Sequence, residues 1–402
     1  MSFRYIAGIL GTSPTIVGPV GGDGGTAPGI WSKPSQAYYQ ALGLWPKPIL
    51  PKYLYSWGVN TDGQLGLGNT TVYSSPKQVG ALTTWFQISG GRFYSAAVKT
   101  DGTLWTWGNN GYGGQLGLGN TTYYSSPKQV GALTTWTSVW CAAQSTFAIK
   151  GGTLWSWGQN ANGLLGLGNS TYYSSPKQIG ALTTWSKITA SNNSAYAIKT
   201  DGTLWAWGQN QYGQLGLNDA IVRSSPTQVG ALTSWASVAG GSFHALAVKT
   251  DGTLWSWGRN VEGELGLGNT TNYSSPKQIG ALTTWLSVSC GRYYSFATTT
   301  LGALYSWGNN GYGNLGLGNT VDKSSPNQVG ALTTWLNVSA SGYFHVLANK
   351  TDSTLWSWGN NTSGALGLGN TTNYSSPKQV GALTTWKSLS GGWQSHTLAL
   401  ST

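Results

Sequence analysis

A Trp-Gly pair recurs at Trp57, Trp107, Trp157, Trp207, Trp257, Trp307 and Trp358, spaced by 50 residues five times and by 51 once. A unit this short cannot bury its apolar side chains alone, so neighbouring copies must supply the cover. A period near fifty, built of short strands and turn residues, makes that stack a ring of β-sheets rather than a helical solenoid. The repeat overrides the roughly two or three domains that such a length would otherwise suggest. Residues 51–402 are read as one seven-bladed β-propeller. Residues 1–50, which share none of the pattern, are read as a separate arm.

The unit around Trp107 shows how a blade is written. Leu104–Gly108 alternates and is aromatic, as a strand requires. Residues 109–120 form a glycine-rich loop. A second short strand is expected over 127–131, with Pro127 tolerated at its start. Gly-Ala-Leu-Thr-Thr then leads into a third strand at 136–140, and a fourth follows at 146–150. Thr-Asp-Gly or a variant joins each fourth strand to the next first one, and Asp-Gly, as at Asp101-Gly102, is a strong tight-hairpin signal. The fold class is all-β, with four-stranded antiparallel blades. The ends complete each other: Tyr53–Gly58 lacks a partner before it, and residues 397–401 lack one after them. Pairing Tyr53, Tyr55 and Trp57 with the strand carrying Leu398 and Leu400 would close the ring and remove two open edges.

Composition refines this picture. Nineteen of the 23 tryptophans fall on three repeat slots: the Trp-Gly pair, the residue closing each Gly-Ala-Leu-Thr-(Thr/Ser) segment, and the residue two before Trp-Gly. Such rings are expected to pack between blades. Trp31, Trp45, Trp140 and Trp393 escape the pattern. The net charge of +11 is spread by repetition, because Lys77, Lys128, Lys177, Lys277 and Lys378 share one slot and Lys99, Lys150, Lys199, Lys249 and Lys350 another. Charge dispersed around a ring supports solubility and discourages edge pairing rather than marking a nucleic-acid site. Cys141 and Cys290 occupy equivalent positions three blades apart, too far for a disulfide, and read as small buried hydrophobes. No apolar run approaches a membrane span, and no secretory leader is expected from the N-terminal residues.

The residue types that perform chemistry are scarce. His244, His345 and His396 fall in matching repeat positions on different blades, which suits structural hydrogen bonding rather than a shared metal. Asp101, Asp201, Asp251 and Asp352 sit in turns, where Asp supports its own backbone. Glu262 and Glu264 lie side by side without the opposed geometry of an acid/base pair. The glycine-rich loops precede no helix and lack the Lys-Ser or Lys-Thr of a phosphate cradle. No catalytic residue, metal or cofactor is expected.

Copies compared within the chain differ mainly at two connections, the loop after Trp-Gly and the junction between the third and fourth strands of each unit. In an antiparallel blade, connections alternate between two ends, so both diverged sets open on one face of the disk. Arg92, Phe93, Tyr94, Tyr112, Arg223, Arg259, Glu262, Arg292, Tyr293, Tyr294, Tyr343, Phe344 and Trp393 are the candidate residues of that face. Aromatic and arginine side chains gathered together suit recognition. Drift in tolerant loops is the competing explanation.

The phrase Trp-Gly-x-Asn-x-x-Gly-Gln-Leu-Gly-Leu-Gly-Asn, clearest at 57–69 and 207–217, resembles the repeat of the RCC1-like seven-bladed propellers, as does Gly-x-x-His with its following strand and Asp-Gly at 241–252. The resemblance spans roughly residues 52–402 and implies four-stranded blades with sequence repeats offset from them. The family includes a nuclear exchange factor for a small GTPase that binds chromatin, and a secreted inhibitor of β-lactamases. The uniform repeat length leaves no inserted wedge, and the arm carries only Arg4, Lys33, Lys47 and Lys52, so exchange activity is not carried over.

Residues 27–46 of the arm resemble a Gly-x-Trp…Gly-x-Trp-Pro segment of tailed-phage virion proteins. A short helix is expected over 34–42, and Phe3, Tyr5, Trp31, Tyr38, Leu42 and Trp45 are the candidate anchoring side chains. The leading expectation is a non-enzymatic virion component in many copies or as a homo-oligomer. Its arm would dock to other virion proteins, and its propeller would display a face to a host-surface glycan or protein, with no membrane insertion. The alternative is an RCC1-like protein-binding module, inhibitor or scaffold, outside any virion.

Overall fold

The computed structural model describes residues 52–402; the arm, its helix and its anchoring side chains lie outside them. The described residues form 28 strands of five or six residues and one 3-10 turn at Ala161–Gly163, arranged as seven four-stranded antiparallel sheets. Blade 1 comprises Trp85–Gly90, Tyr94–Lys99, Leu104–Gly108 and Tyr124–Gln129. Its first strand is the innermost, because the ends of the equivalent strands from all seven blades line one central channel. Blades 2 to 6 repeat this order through residues 136–178, 185–228, 235–278, 285–328 and 335–379.

Blade 7 draws on both ends of the chain. Trp386–Gly391 and His396–Ser401 form its inner half, and Tyr53–Gly58 and Tyr73–Gln78 its outer half. Register runs unbroken from Tyr53 opposite Ser401 to Gly58 opposite His396, with Tyr55 facing Ala399 and Trp57 facing Thr397. The ring closes as the complementary ends require. Several strand limits differ from expectation, the fourth strand starting at Ser145 and the chain-ending strand at His396, each one residue early. The outer strand is Tyr124–Gln129 rather than 127–131, and its register breaks between Thr106 and Gly108 because Pro127, which lacks an N–H, sits inside an edge strand. The inner strand runs one residue further, to Cys141.

Each junction is held by the Trp-Gly indole, fully buried in every copy. Trp107 Nε1 donates to the carbonyl of Gln64 in the preceding blade (2.9 Å), Trp257 to Gln214 (2.8 Å) and Trp307 to Glu264 (2.9 Å). Trp57 does the same across the chain ends, reaching Ala365 O at 2.8 Å. The glycine beside that carbonyl is obligatory. Gly66 has φ +73°, and a Cβ there would lie 2.7 Å from Trp107 Nε1. The second strand of each blade is covered on both sides by neighbours, which explains small residues such as Ala96 and Ala97 in its middle.

The closing tryptophan stands edge-on to the next slots: Trp85 lies 6.1 Å from Trp107 and 6.4 Å from Trp105. Lys99 lays its ammonium 3.7 Å from the Trp105 ring centre. The same contact recurs at Lys150, Lys199, Lys249 and Lys350. This lysine set therefore caps indoles rather than merely spreading charge, and burial holds Lys99, Lys199 and Lys350 below the usual lysine range against the pull of their turn aspartates. Where the lysine is replaced, by Thr299 and Ser401, the partner Trp becomes Tyr305 and Tyr55 and closes to 5.2 and 5.4 Å from its closing Trp. Lysine and tryptophan thus change together.

A third contact lies at the start of the second strand. Tyr94 donates to Ser145 O (2.6 Å) and Tyr294 to Ser341 O (2.8 Å) in the following blade. His244, His345 and His396 take the same slot, pairing with Ser295 (2.9 Å), Thr397 (3.2 Å) and Ser95 (3.2 Å). The structural role expected of these histidines holds. Burial pushes His244 down to about 3, aided by Arg259, His345 to about 3, aided by His396, and His396 to about 4.

A histidine kept neutral in the fold contributes stability that is complete above its unfolded value near 6.5 and is lost as pH falls from there toward 3–4. His244 and His396 lie directly over Gly241 and Gly392, as Tyr94 lies over Gly91. Replacing His244→Tyr and His396→Tyr should flatten the fall in urea midpoint between pH 6.5 and 4. Each histidine should account for about 3 kcal/mol of that fall. An unchanged pH slope would contradict the clasp.

Candidate functional site

The two diverged connections of each blade meet. In blade 1, the N–H of Asn109, which opens the long loop, donates to Phe93 O in the short connector at 2.9 Å. The uniform connections meet on the opposite side, where Thr100 N donates to Thr84 O (2.9 Å) and Trp136 N to Gly102 O (3.0 Å). Asp101 braces its turn as expected, accepting from Thr103 N at 2.9 Å and Thr103 Oγ1 at 2.6 Å.

Over blades 3 to 6, the diverged face carries a continuous row of rings. Tyr212 meets Phe243 at 5.2 Å, Phe243 stacks on Tyr293 at 6.2 Å, Tyr293 lies 6.4 Å from Phe344, and Phe344 stacks on Tyr312 at 5.1 Å. Tyr343 adjoins Phe344 at 6.5 Å. Trp393 follows, its ring laid against Gly342 and its backbone N–H donating to Gly91 O at 2.8 Å. The connectors of blades 2 and 3, Ala142-Ala143-Gln144 and Ser191-Asn192-Asn193, carry no ring. The face is therefore lopsided.

Arginines border the row. Tyr293 lies between Arg259 (4.6 Å) and Arg292 (5.0 Å), and Arg92 stands 5.2 Å from Phe93. Arg259 is compensated by Glu262 (Nη2 to Oε1, 2.9 Å) and by the fully buried Glu264 (2.7 Å). Burial disfavours the Arg259 charge, but its bonds to the two carboxylates outweigh that and hold it above its ordinary value. Burial also raises Glu264, with its hydrogen bonds and Arg259 opposing.

Of the residues read from sequence, the row brings together Arg259, Glu262, Arg292, Tyr293, Tyr343 and Phe344; Trp393 adjoins it at Gly342, and the Arg92–Phe93 pair follows beyond Gly91. Tyr94 and Tyr294 do not belong to an exposed face: both are fully buried, spent on the inter-blade contact. Tyr112 shares the slot of Tyr212 and Tyr312, but the next connector offers it no ring. Arg223 pairs with Asp219 at 2.5 Å at the start of an outer strand. Sequence reading missed Tyr212, Phe243 and Tyr312, although aligning their slots with Tyr112 and Phe93 points to them.

The central channel encloses about 220 Å³, and both described tryptophans outside the repeat slots, Trp140 and Trp393, line it. Its wall residues Cys141 and Cys290 are buried free thiols, as expected, and burial pushes Cys141 up to about 12. Among the described residues, no group of three or more His, Cys, Asp or Glu side chains is placed to hold a metal ion. No helix among them is long and apolar enough to cross a membrane.

These features define a closed seven-bladed ring with one uniform and one diversified face. The Regulator of chromosome condensation (RCC1) repeat matches seven times, at residues 53–98, 101–149, 151–198, 201–248, 251–298, 302–348 and 352–400. The chain belongs to the RCC1 repeat family. Stretches of it are similar to the human E3 ubiquitin-protein ligase HERC2 (33% identity over 121 residues, 27% of this chain and 2% of that protein). The Arabidopsis thaliana ultraviolet-B receptor UVR8 is 36% identical over 115 residues, 27% of this chain and 26% of the receptor. The matches thus span about a quarter or less of these relatives. Among solved structures, Prp20p of Saccharomyces cerevisiae has a TM-score of 0.78 at 18% identity, covering 88% of this chain and 92% of that one. Human WBSCR16 has a TM-score of 0.77 at 20% identity, covering 87% and 100%.

Removing Arg259 would strand the buried carboxylate of Glu264. Arg259→Ala should lower stability by about 3 kcal/mol, while Arg259→Ala with Glu264→Gln should recover most of the loss. Gln already fills this slot at Gln214, whose Oε1 accepts from Tyr212 N (2.9 Å) as Glu264 Oε2 accepts from Glu262 N (2.9 Å). Equal melting temperatures for the single and double variants would contradict this arrangement.

Proposed function

We propose that the propeller is a protein-binding module and that its diverged face is the contact surface. The observation that carries this reading is the unbroken aromatic row from Tyr212 to Phe344, bordered by arginines, on connectors tied to their neighbours. Rigid aromatic and arginine side chains lose little freedom on docking and dominate interface energetics. Protein binding is also in keeping with the family: Prp20p is described with its binding properties to Gsp1p and histones, and another structure holds Kap60 bound to yeast RCC1. The chain's own partner is read from its face and not from these.

The virion role, and docking to virion proteins through Phe3, Tyr5, Trp31, Tyr38, Leu42 and Trp45, rests on residues outside the described part. Nothing in the propeller or its relatives adds support to it, so the protein-binding module is the better-supported reading.

Crosslinking of the tagged full chain in its source cells, read by mass spectrometry, tests the proposal. Crosslinks should fall at residues 91–93, 242–243, 292–293, 342–344 and 393–394. Joint replacement of Tyr293, Phe344 and Trp393 by Ala should cut partner recovery by about tenfold or more. Crosslinks confined to residues 100–103 and 130–135, with recovery unchanged in the variant, would contradict it.

A further inference from the structure

The row has a charge asymmetry that narrows the partner. Moving around the ring from blade 5 to blade 1, Arg292 lies on Tyr293, Tyr293 adjoins Phe344 and Phe344 adjoins Tyr343, while Trp393 rests on Gly342 and reaches Gly91, beside Arg92, through its backbone N–H. The two arginines stand three blades apart with the apolar rings between them. Arg259 is neutralised by Glu262 and Glu264. Among the described residues, by contrast, neither Arg92 nor Arg292 has a carboxylate within ion-pair distance. Both are exposed, and both are locked by backbone, Arg92 N donating to Ala143 O (3.0 Å) and Ser242 N to Arg292 O (3.3 Å).

Phe344 adds a second sign of construction. The connectors of blades 6 and 7 are one residue longer than the others, and Phe344 is held at φ +67°, a conformation that a bulky residue adopts only at a cost. That strain sets its ring at the centre of the row, between Tyr293 and Tyr312. An apolar centre with polar groups at its border is the anatomy of a protein interface.

Resting on the protein-binding reading of this face, we propose that the partner presents an acidic protein segment: an apolar side chain seated on Phe344, Tyr343 and Trp393, flanked by carboxylates that pair with Arg92 and Arg292. Guanidinium–carboxylate pairing is bidentate and charge-assisted, so the two free arginines select for acid on both sides of the anchor. A single-stranded nucleic acid fits less well, because it needs a continuous cationic track. Here two arginines stand apart, with Glu262 and Asp62 on the same face. A neutral glycan would leave both charges unused.

The test is selection of mRNA-displayed random dodecapeptides on the full chain. Selected peptides are rebound, alongside oligo-dT, to wild type, Arg92→Ala/Arg292→Ala and Phe344→Ala/Trp393→Ala, with circular dichroism confirming each fold. The expected result is enrichment of Asp and Glu on both sides of an aromatic or aliphatic residue. Affinity should fall about tenfold or more in either double variant, and its salt dependence should disappear in the arginine variant. Peptides without acidic enrichment, or unaffected by loss of the arginines, would overturn the proposal and leave protein binding standing. Oligo-dT binding more tightly than the best peptide, and lost with the arginines, would overturn it in favour of nucleic acid. No peptide binding above background would sink both readings.

Discussion

Every junction in the ring depends on one contact, an indole N–H from the Trp-Gly slot donating to a loop carbonyl of the blade before it. Without it the indole would carry a desolvated donor into the core. Ser95, Thr146, Ser295 and Thr397 share the same carbonyls from a neighbouring strand, which fixes each loop against the next blade. Because the contact runs always from one copy to the next, no blade is complete alone. Trp57 and Ala365 make the ring finite by joining the first repeat to the last.

This coupling divides the molecule between constancy and variation. The indoles, the glycines they abut and the lysine–tryptophan caps recur with little change, since altering one disturbs two blades. The connectors on one side need only return the chain to the next strand. There the rings of Phe243, Tyr293 and Phe344 replace the small and polar residues of blades 2 and 3. Drift alone would scatter such replacements. Their mutual contact over successive blades, with Arg259 satisfied and, among the described residues, no carboxylate paired with Arg92 or Arg292, supports the proposal that this side is the contact surface.

The ring and its closure were legible from sequence, because the Trp-Gly spacing fixes the unit and Tyr53–Gly58 needs the strand that ends the chain. The side of the disk that diverges was legible too, since antiparallel alternation assigns both loops to one end. Membership of the row was less so. Tyr94 and Phe93 are adjacent in sequence, yet one turns inward to Ser145 and the other lies beside Arg92, a difference that composition does not carry. Tyr212 and Phe243 find each other only across a blade junction, so neither segment alone reveals the contact. The outer strand was displaced because proline marks an edge strand without fixing where it begins.

Through these indoles the seven blades form one cooperative unit. Hydrogen exchange of the indole N–H groups, followed by NMR in protein labelled with 15N at tryptophan, measures this directly. The seven Trp-Gly indoles should all be protected and exchange together, at the rate of global unfolding. Fast exchange, or a separate rate for each blade, would contradict it.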